Sequence, residues 1–386
     1  YKDTIDISGI EPSIREFYLH IPITSWFSNS TLMAFPLICL QYSELTIDFT
    51  LRPIMELFTV KDVLYNNENN DITNYNNFPQ IQPVQNILEY QYKRFINPPP
   101  TRIIEKNVDV YKNMSSSINS NIHLICTQCY LDNEERELFA KNTQNYLIKE
   151  IHEYNFEKVI KSNKVKIESN GMIASWMWFL QRNDVNLRNE WSNYTNWPYR
   201  ILPNNVKLAD IDPIPGTEDT LEYGMGVHPI SSQNTGITIT GDYHTDNRKD
   251  ILETMGILLN GEYRENLMTR GVYDYIEKYT RTRGNAKDGL YCYNFCLNTS
   301  PFEYQPTGAI NLSKFKSIEL ELNTYIPSID PVNSNYDVVC DENGELLGVR
   351  KSNWRLYEYN YNMTLFEERY NVLSIVSGNC GMMYAR

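Results

Sequence analysis

The chain has 386 residues, of which 41% are hydrophobic and 22% charged, with a formal charge of −13 at pH 7. That length allows two domains, or one large sandwich with long loops. The negative balance repels phosphate, which argues against nucleic-acid binding by the chain as a whole. No apolar run approaches the roughly 20 residues of a membrane helix; the longest, Leu32–Leu40, is interrupted by Pro36.

The 29 tyrosines and runs such as "NNENNDITNYNNF" (Asn66–Phe78) suit β structure with long polar loops. Codon bias in an AT-rich genome contributes to the same composition. The first residues, "YKDTIDISGIEPS", lack a signal-peptide layout and begin with Tyr, so the native start is expected to be missing or processed. Seven cysteines lie scattered at 39, 126, 129, 292, 296, 340 and 380. An odd, sparse count in a long chain argues against a disulfide framework and for reduced thiols in a cytosolic setting.

In chain order, "LQYSELTIDFTL" alternates Leu45, Ile47, Phe49 and Leu51 with polar residues, which predicts a half-buried strand ending before Pro53. From about Val60 to Ser120 the periodicity weakens into an expected insertion or connection, with some helical spacing in "VQNILEYQYKRF". "IHLICTQCYL" reads as a strand feeding a short helix: Asp132 is an N-cap, Glu135 stands in capping-box position, and Lys141 lies near the far end. "KVKIES" and "ASWMWFLQ" are strands on either side of a turn at Asn170-Gly171. Residues 182–250 read as long decorated loops. Asn260-Gly261 within "MGILLNGEYRE" is a hairpin signal. "GLYCYNFCLN", "GAINLSKFKSIELELNT", "WRLYEYNYN" and "YNVLSIVSGNCGMMYA" complete the set. Many short strands with few helices predict an all-β sandwich.

The chemical candidates are weak. Cys126 and Cys129 would diverge on a strand, and no second ligand pair exists for zinc. Cys292 and Cys296 read as buried thiols packing as small apolar groups. His244 and Asp246 in "GDYHTD" have the spacing of a facial-triad iron site, but no distal histidine has a supporting motif. No nucleophile elbow, P-loop or dinucleotide fingerprint occurs. The expectation is therefore no catalytic residue, no cofactor and no metal. Six Asn-x-Ser/Thr sequons, at Asn29, Asn113, Asn193, Asn298, Asn311 and Asn362, are what an Asn-rich chain supplies by chance.

The strand segments resemble those of the major capsid proteins of nucleocytoplasmic large DNA viruses. "IPITSWFSNSTLMAFPLICLQYSELTI" (Ile21–Ile47) is similar to the signature late in that family's first jelly roll. "YLDNEERELFA" resembles its short helix after the opening strand of the second. "ILLNGEYRE", "YQPTGAINLSKFKSIELEL" and "YNVLSIVSGNCGMMYA" resemble its later hairpin, strand entry and closing strand. The Asn-rich insertion and the "YKDT" start are more like the mimivirus-like branch than the shorter algal-virus proteins.

The resemblance implies a double jelly roll, with antiparallel sandwiches of viral capsid type, short helices and long loops. Residues 1–60 would supply the C-terminal strands of an incomplete first jelly roll. Residues 61–118 would be the connection, and 119–386 the second jelly roll. The part of the first sandwich before Phe17 is absent, so the chain is expected to belong to a longer polypeptide. The implied role is structural and non-enzymatic. Homotrimers of pseudo-hexagonal outline would tile an icosahedral shell, made late in infection and assembled in the host cytoplasm. The implied partners are other copies, neighbouring capsomers, minor capsid and penton proteins, and glycans on the outer loops, with no direct contact to nucleic acid. The competing readings are a glycan-binding β-sandwich of a virion or cell surface, and a cupin-like oxygenase using His244 and Asp246.

Overall fold

The computed structural model describes residues 13–15, 17–61, 80–84, 86–97, 121–196, 249–282, 286–300, 305–327, 338–340, 342–344, 346–349 and 358–384. Eight strands carry the core. They are β1 (Gln144–Phe156), β2 (Ser162–Lys166), β3 (Met172–Arg182), β4 (Leu252–Leu259), β5 (Glu262–Thr269), β6 (Leu290–Asn294), β7 (Ile318–Thr324) and β8 (Tyr361–Val376). A short β9 (Asn379–Met382) folds back along the end of β8. Every pairing is antiparallel, in two sheets of order β1-β8-β3-β6 and β2-β7-β4-β5. From β1 to β8, consecutive strands change sheet at each connection except the β4–β5 hairpin. That order makes the sandwich a jelly roll.

Period-two patterning explains which face each strand buries. In β7, Ile318, Leu320 and Leu322 are buried and alternate with half-exposed Glu319, Glu321 and Asn323. In β8 every odd residue from Tyr361 to Ile375 is buried. The two inner faces meet in one cluster that includes Trp176, Trp178, Leu180, Met363 and Leu365 from one sheet and Val165, Met255, Ile257 and Leu320 from the other. Trp178 stacks on Tyr291 and meets Tyr273 edge-on, and Trp176 meets Phe295 edge-on at 4.9 Å. Each such ring removes a large apolar area from water and contributes on the order of 2–3 kcal/mol.

The β4–β5 turn is the expected Asn-Gly hairpin: Asn260 and Gly261 both have positive φ, +54° and +85°. Asn260 Oδ1 also accepts the backbone N–H of Lys316 and Ser317, tying the hairpin to the bend before β7. Gly256 in β4 leaves room for Tyr263, whose ring edge lies where a Cβ would sit 3.2 Å away. The Tyr263 hydroxyl thereby reaches Glu321 at 2.8 Å, and Lys164 reaches the same carboxylate at 3.1 Å. Side chains from β2, β5 and β7 are joined across the outside of this sheet.

Helix α1 (Tyr92–Ile96) falls within the segment read as weakly helical, and α2 (Asn133–Lys141) has the expected capping box. Asp132 Oδ1 accepts the Glu135 N–H at 2.8 Å, and Glu135 accepts the Asp132 N–H in return.

Two strand expectations are corrected. Leu45–Leu51 joins no ladder among the described residues, and its apolar side chains are exposed. Ile122–Leu131 likewise joins no ladder among the described residues, and the strand that opens the jelly roll is β1, after α2 rather than before it. The common cause is that alternation makes a segment able to enter a sheet, whereas a strand exists only when a second chain segment meets its N–H and C=O groups. Among the described residues before Asn119 the one ladder pairs Val60–Lys61 with Gln80–Ile81.

Candidate assembly surface

The outer face of the β1-β8-β3 sheet mixes apolar side chains with a half-buried ion pair. Register places Lys149 beside Tyr370, Ile151 and Ser175 on either side of Glu368, and Met177 beside Phe366. Lys149 Nζ lies 3.1 Å from Glu368 Oε1, and Ser175 Oγ donates to Glu368 Oε2 at 3.1 Å. Burial, with Cys296 and Glu368 adding to it, pushes the Tyr370 hydroxyl up to about 12. Phe179 packs between Phe366 and Tyr194. Around this centre Leu147, Ile151 and Met177 are exposed, Ile151 at 62%. An apolar patch with desolvated polar anchors is the composition of a protein–protein contact.

At the far edge a π-helical stretch, Val272–Ile276 and Lys278–Thr282, covers β6. Asn294 donates to Glu277 at 3.0 Å, and Arg281 donates to the Cys296 carbonyl at 3.1 Å. The outer side of this stretch exposes Tyr275, Ile276 and Tyr279 beside Leu297. Ile276, Glu277, Thr280, Arg281 and Leu297 line an open groove of about 410 Å³.

The N-terminal segment is pinned to the jelly roll at two places. The Gly378 carbonyl accepts the N–H of Gln41 and of Tyr42, and Ser43 Oγ accepts the Cys380 N–H. Nearby, Trp26 packs on Tyr146, and Cys39 donates to the Phe139 carbonyl. At the second place Arg52 lies 3.5 Å over the Trp191 ring, and Trp191 Nε1 donates to the Glu56 carbonyl. Between the anchors, Leu45–Leu51 makes no hydrogen bond among the described residues, and its apolar side chains face solvent. Ile122, Leu124, Ile125 and Tyr130 are exposed in the same way.

Inside the sandwich, Glu367 is fully buried on β8. It accepts from Trp176 Nε1 at 2.9 Å, Ser169 Oγ at 2.6 Å and Arg369 Nη2 at 2.7 Å. Arg369 also donates to Asn170 Oδ1 at 2.9 Å. Sequence reasoning passed over this pair. The signal was present: Glu367 and Arg369 occupy the odd, inward parity of a strand filled there by Tyr361, Met363, Leu365, Leu373 and Ile375, with Asn371 the one other polar residue.

Among the described residues, those considered for chemistry form no metal cluster. Cys126 and Cys129 are exposed on the segment before α2. Cys292 and Cys296 are buried free thiols, as expected, and burial pushes Cys292 up to about 11 and Cys296 in the same direction. His244 and Asp246 lie outside the described residues. Among the described residues no group of three or more His, Cys, Asp or Glu could hold a metal ion. Of the sequons, Asn193, Asn298 and Asn311 use their side-chain oxygens to close turns on Thr195, Ser300 and Ser313.

Residues 135–381, the helix and the jelly roll, match the family described as large eukaryotic DNA virus major capsid protein, and residues 1–92 match the major capsid protein N-terminus. The chain is 22% identical to the major capsid protein of Phaeocystis pouchetii virus, across 97% of this chain and 66% of that one. It is also 22% identical to that of Paramecium bursaria Chlorella virus 1, across 96% and 67%. It thus spans about two thirds of the length of these relatives. Among solved structures, a quasi-atomic model of the PBCV-1 virus capsid is similar over 67% of this chain and 55% of that one, at 21% identity and a TM-score of 0.44. The Faustovirus major capsid protein is similar over 64% and 36%, at 15% identity and a TM-score of 0.39. The jelly-roll assignment rests on the strand order, and family membership on the match across the helix and all eight strands: the chain belongs to the major capsid proteins of large eukaryotic DNA viruses, a family of structural proteins rather than enzymes.

Proposed function

We propose that this chain builds homotrimers of pseudo-hexagonal outline that tile the icosahedral shell of a large DNA virus. The observation that carries the reading is the contrast between two parts of the chain. The jelly roll matched by the family closes on its own core, whereas Phe17–Leu57 and Ile122–Tyr130 expose a succession of large apolar side chains. Surface of that kind is typical of a subunit completed by association. In this reading residues 1–60 contribute strands to a first jelly roll once partner strands are supplied. Residues 61–118 connect, and 119–386 form the second. Neighbouring capsomers, minor capsid and penton proteins and outer-loop glycans are its further partners, and assembly takes place in the host cytoplasm.

Size-exclusion chromatography with light scattering on the full-length protein tests this directly. A trimer mass that persists on dilution is expected, and a stable monomer at micromolar concentration overturns the reading.

A further inference from the structure

We infer that Asn189 is the lock that fixes the N-terminal ladder on the jelly roll, one side chain holding both strands of that ladder at the same end. The ladder pairs Val60 with Ile81 and Lys61 with Gln80. Phe58 precedes one strand and Gln82 follows the other, so antiparallel pairing puts both at one end of the ladder. Asn189 Nδ2 donates to the Phe58 carbonyl at 2.6 Å, and Asn189 Oδ1 accepts from Gln82 Nε2 at 3.1 Å. The same Gln82 amide also donates to the Asn186 carbonyl. Phe58 and Gln82 lie in the part of the chain matched as the capsid-protein N-terminus, and Asn189 in the part matched across the jelly roll. The lock therefore joins the two parts.

Position 189 favours asparagine on two counts. It ends the 3-10 turn Val185–Arg188 in the left-handed region, at φ +54°, where Asn is tolerated and most other side chains are strained. An amide also offers a donor and an acceptor in one plane, whereas a carboxylate offers acceptors alone. The turn is itself seated firmly on the jelly roll. Arg182 and Asp184, both buried, share hydrogen bonds of 3.0 and 2.6 Å, and Arg182 lies 3.6 Å over the Tyr359 ring. Asn183 exchanges two hydrogen bonds with Asn360, at 2.9 and 3.0 Å. Gln181 Nε2 donates to the Trp191 carbonyl at 2.7 Å, which steadies the ring beneath Arg52. With Gln41 and Tyr42 held at Gly378, the exposed stretch Leu45–Leu51 is tied down on both sides.

The test is hydrogen exchange read by mass spectrometry on the full chain and on Asn189→Gly, Asn189→Asp and Gln82→Met. Glycine accepts the positive φ and removes both bonds. Aspartate also tolerates that φ and keeps the acceptor, but it sets a carboxylate oxygen against the Phe58 carbonyl. Both variants are expected to speed exchange about tenfold in peptides spanning Phe58–Lys61 and Gln80–Val84, the scale of one or two lost hydrogen bonds, while β7 and β8 stay within about twofold of the parent. Asn189→Gly combined with Gln82→Met should fall short of the product of the two single effects, because one bond is common to both. Unchanged exchange at the ladder in Asn189→Gly overturns the inference. So does equal acceleration in β7 and β8, because Asn189 would then support the jelly-roll fold and not the docking. A combined effect equal to the full product overturns it as well, since the two side chains would not be acting through each other.

Discussion

Trp176 and Glu367 stand opposite each other in the β3–β8 ladder, and the indole N–H donates to the carboxylate at 2.9 Å in the interior of the sandwich. With Ser169 and Arg369 on the same carboxylate, the buried charge is paired and hydrogen-bonded at once. Removing one member of such a set leaves the other charge uncompensated.

Glu367→Ala is therefore expected to cost about 3–5 kcal/mol, since Arg369 would keep only neutral partners. Glu367→Gln retains acceptor and shape and is expected to cost less. Urea unfolding monitored by tryptophan fluorescence checks both: equal losses would show that the charge carries the whole effect, and no loss in Glu367→Gln would show that the charge is not what matters.

Gly378 is the contact point between the N-terminal segment and the jelly roll. Its φ is +81°, and a Cβ there would stand 2.8 Å from Gln41 Cβ. Gly378→Ala is expected to lose roughly 1–3 kcal/mol through the backbone strain and the displaced neighbour. Hydrogen exchange at the Gln41 and Tyr42 amides should accelerate with it, because both donate to the Gly378 carbonyl. Unchanged exchange at those amides would dissociate the turn from the anchor.

Thiol reactivity should divide by burial. Cys126 and Cys129 are exposed, whereas Cys39, Cys292 and Cys296 are buried, and burial raises all three of those thiols. Brief alkylation near pH 8 followed by peptide mass spectrometry should label the first pair and spare the other three until denaturant is added. Labelling of Cys292 in the native protein would contradict the packing of the π-helical stretch over β6.

Glu321 sets a pH dependence whose sign is fixed. Hydrogen bonds from Tyr263 and then Lys164 lower its carboxyl below the ordinary glutamate value of 4.5. The folded state thus releases the proton more readily than the unfolded state. The stabilisation is present above about pH 4.5 and is lost as pH falls through the lowered folded value. Glu321→Gln should be less stable than the parent at pH 7, and the difference should shrink below pH 4.5. Parallel stability curves down to pH 3 would show that the network contributes nothing.

The sequence by itself determined the local grammar of this protein. The capping box of Asp132 and Glu135, the Asn260-Gly261 turn and the inward parity of Ile318, Leu320 and Leu322 all need only neighbours along the chain, and all are found where expected. The five segments carrying the family resemblance are local in the same sense. Tertiary structure alone decided what those segments pair with. Leu45–Leu51 alternates as cleanly as β7, yet β7 lies between β2 and β4 while Leu45–Leu51 meets no second strand among the described residues. Glu367 and Asn189 acquire their partners from residues far away in the chain, Trp176 across the sheet and Phe58 at the N-terminal ladder. Spacing along one chain encodes which face a residue can turn inward. Which group waits on that face is set by contacts distant in sequence, and a single sequence does not display them.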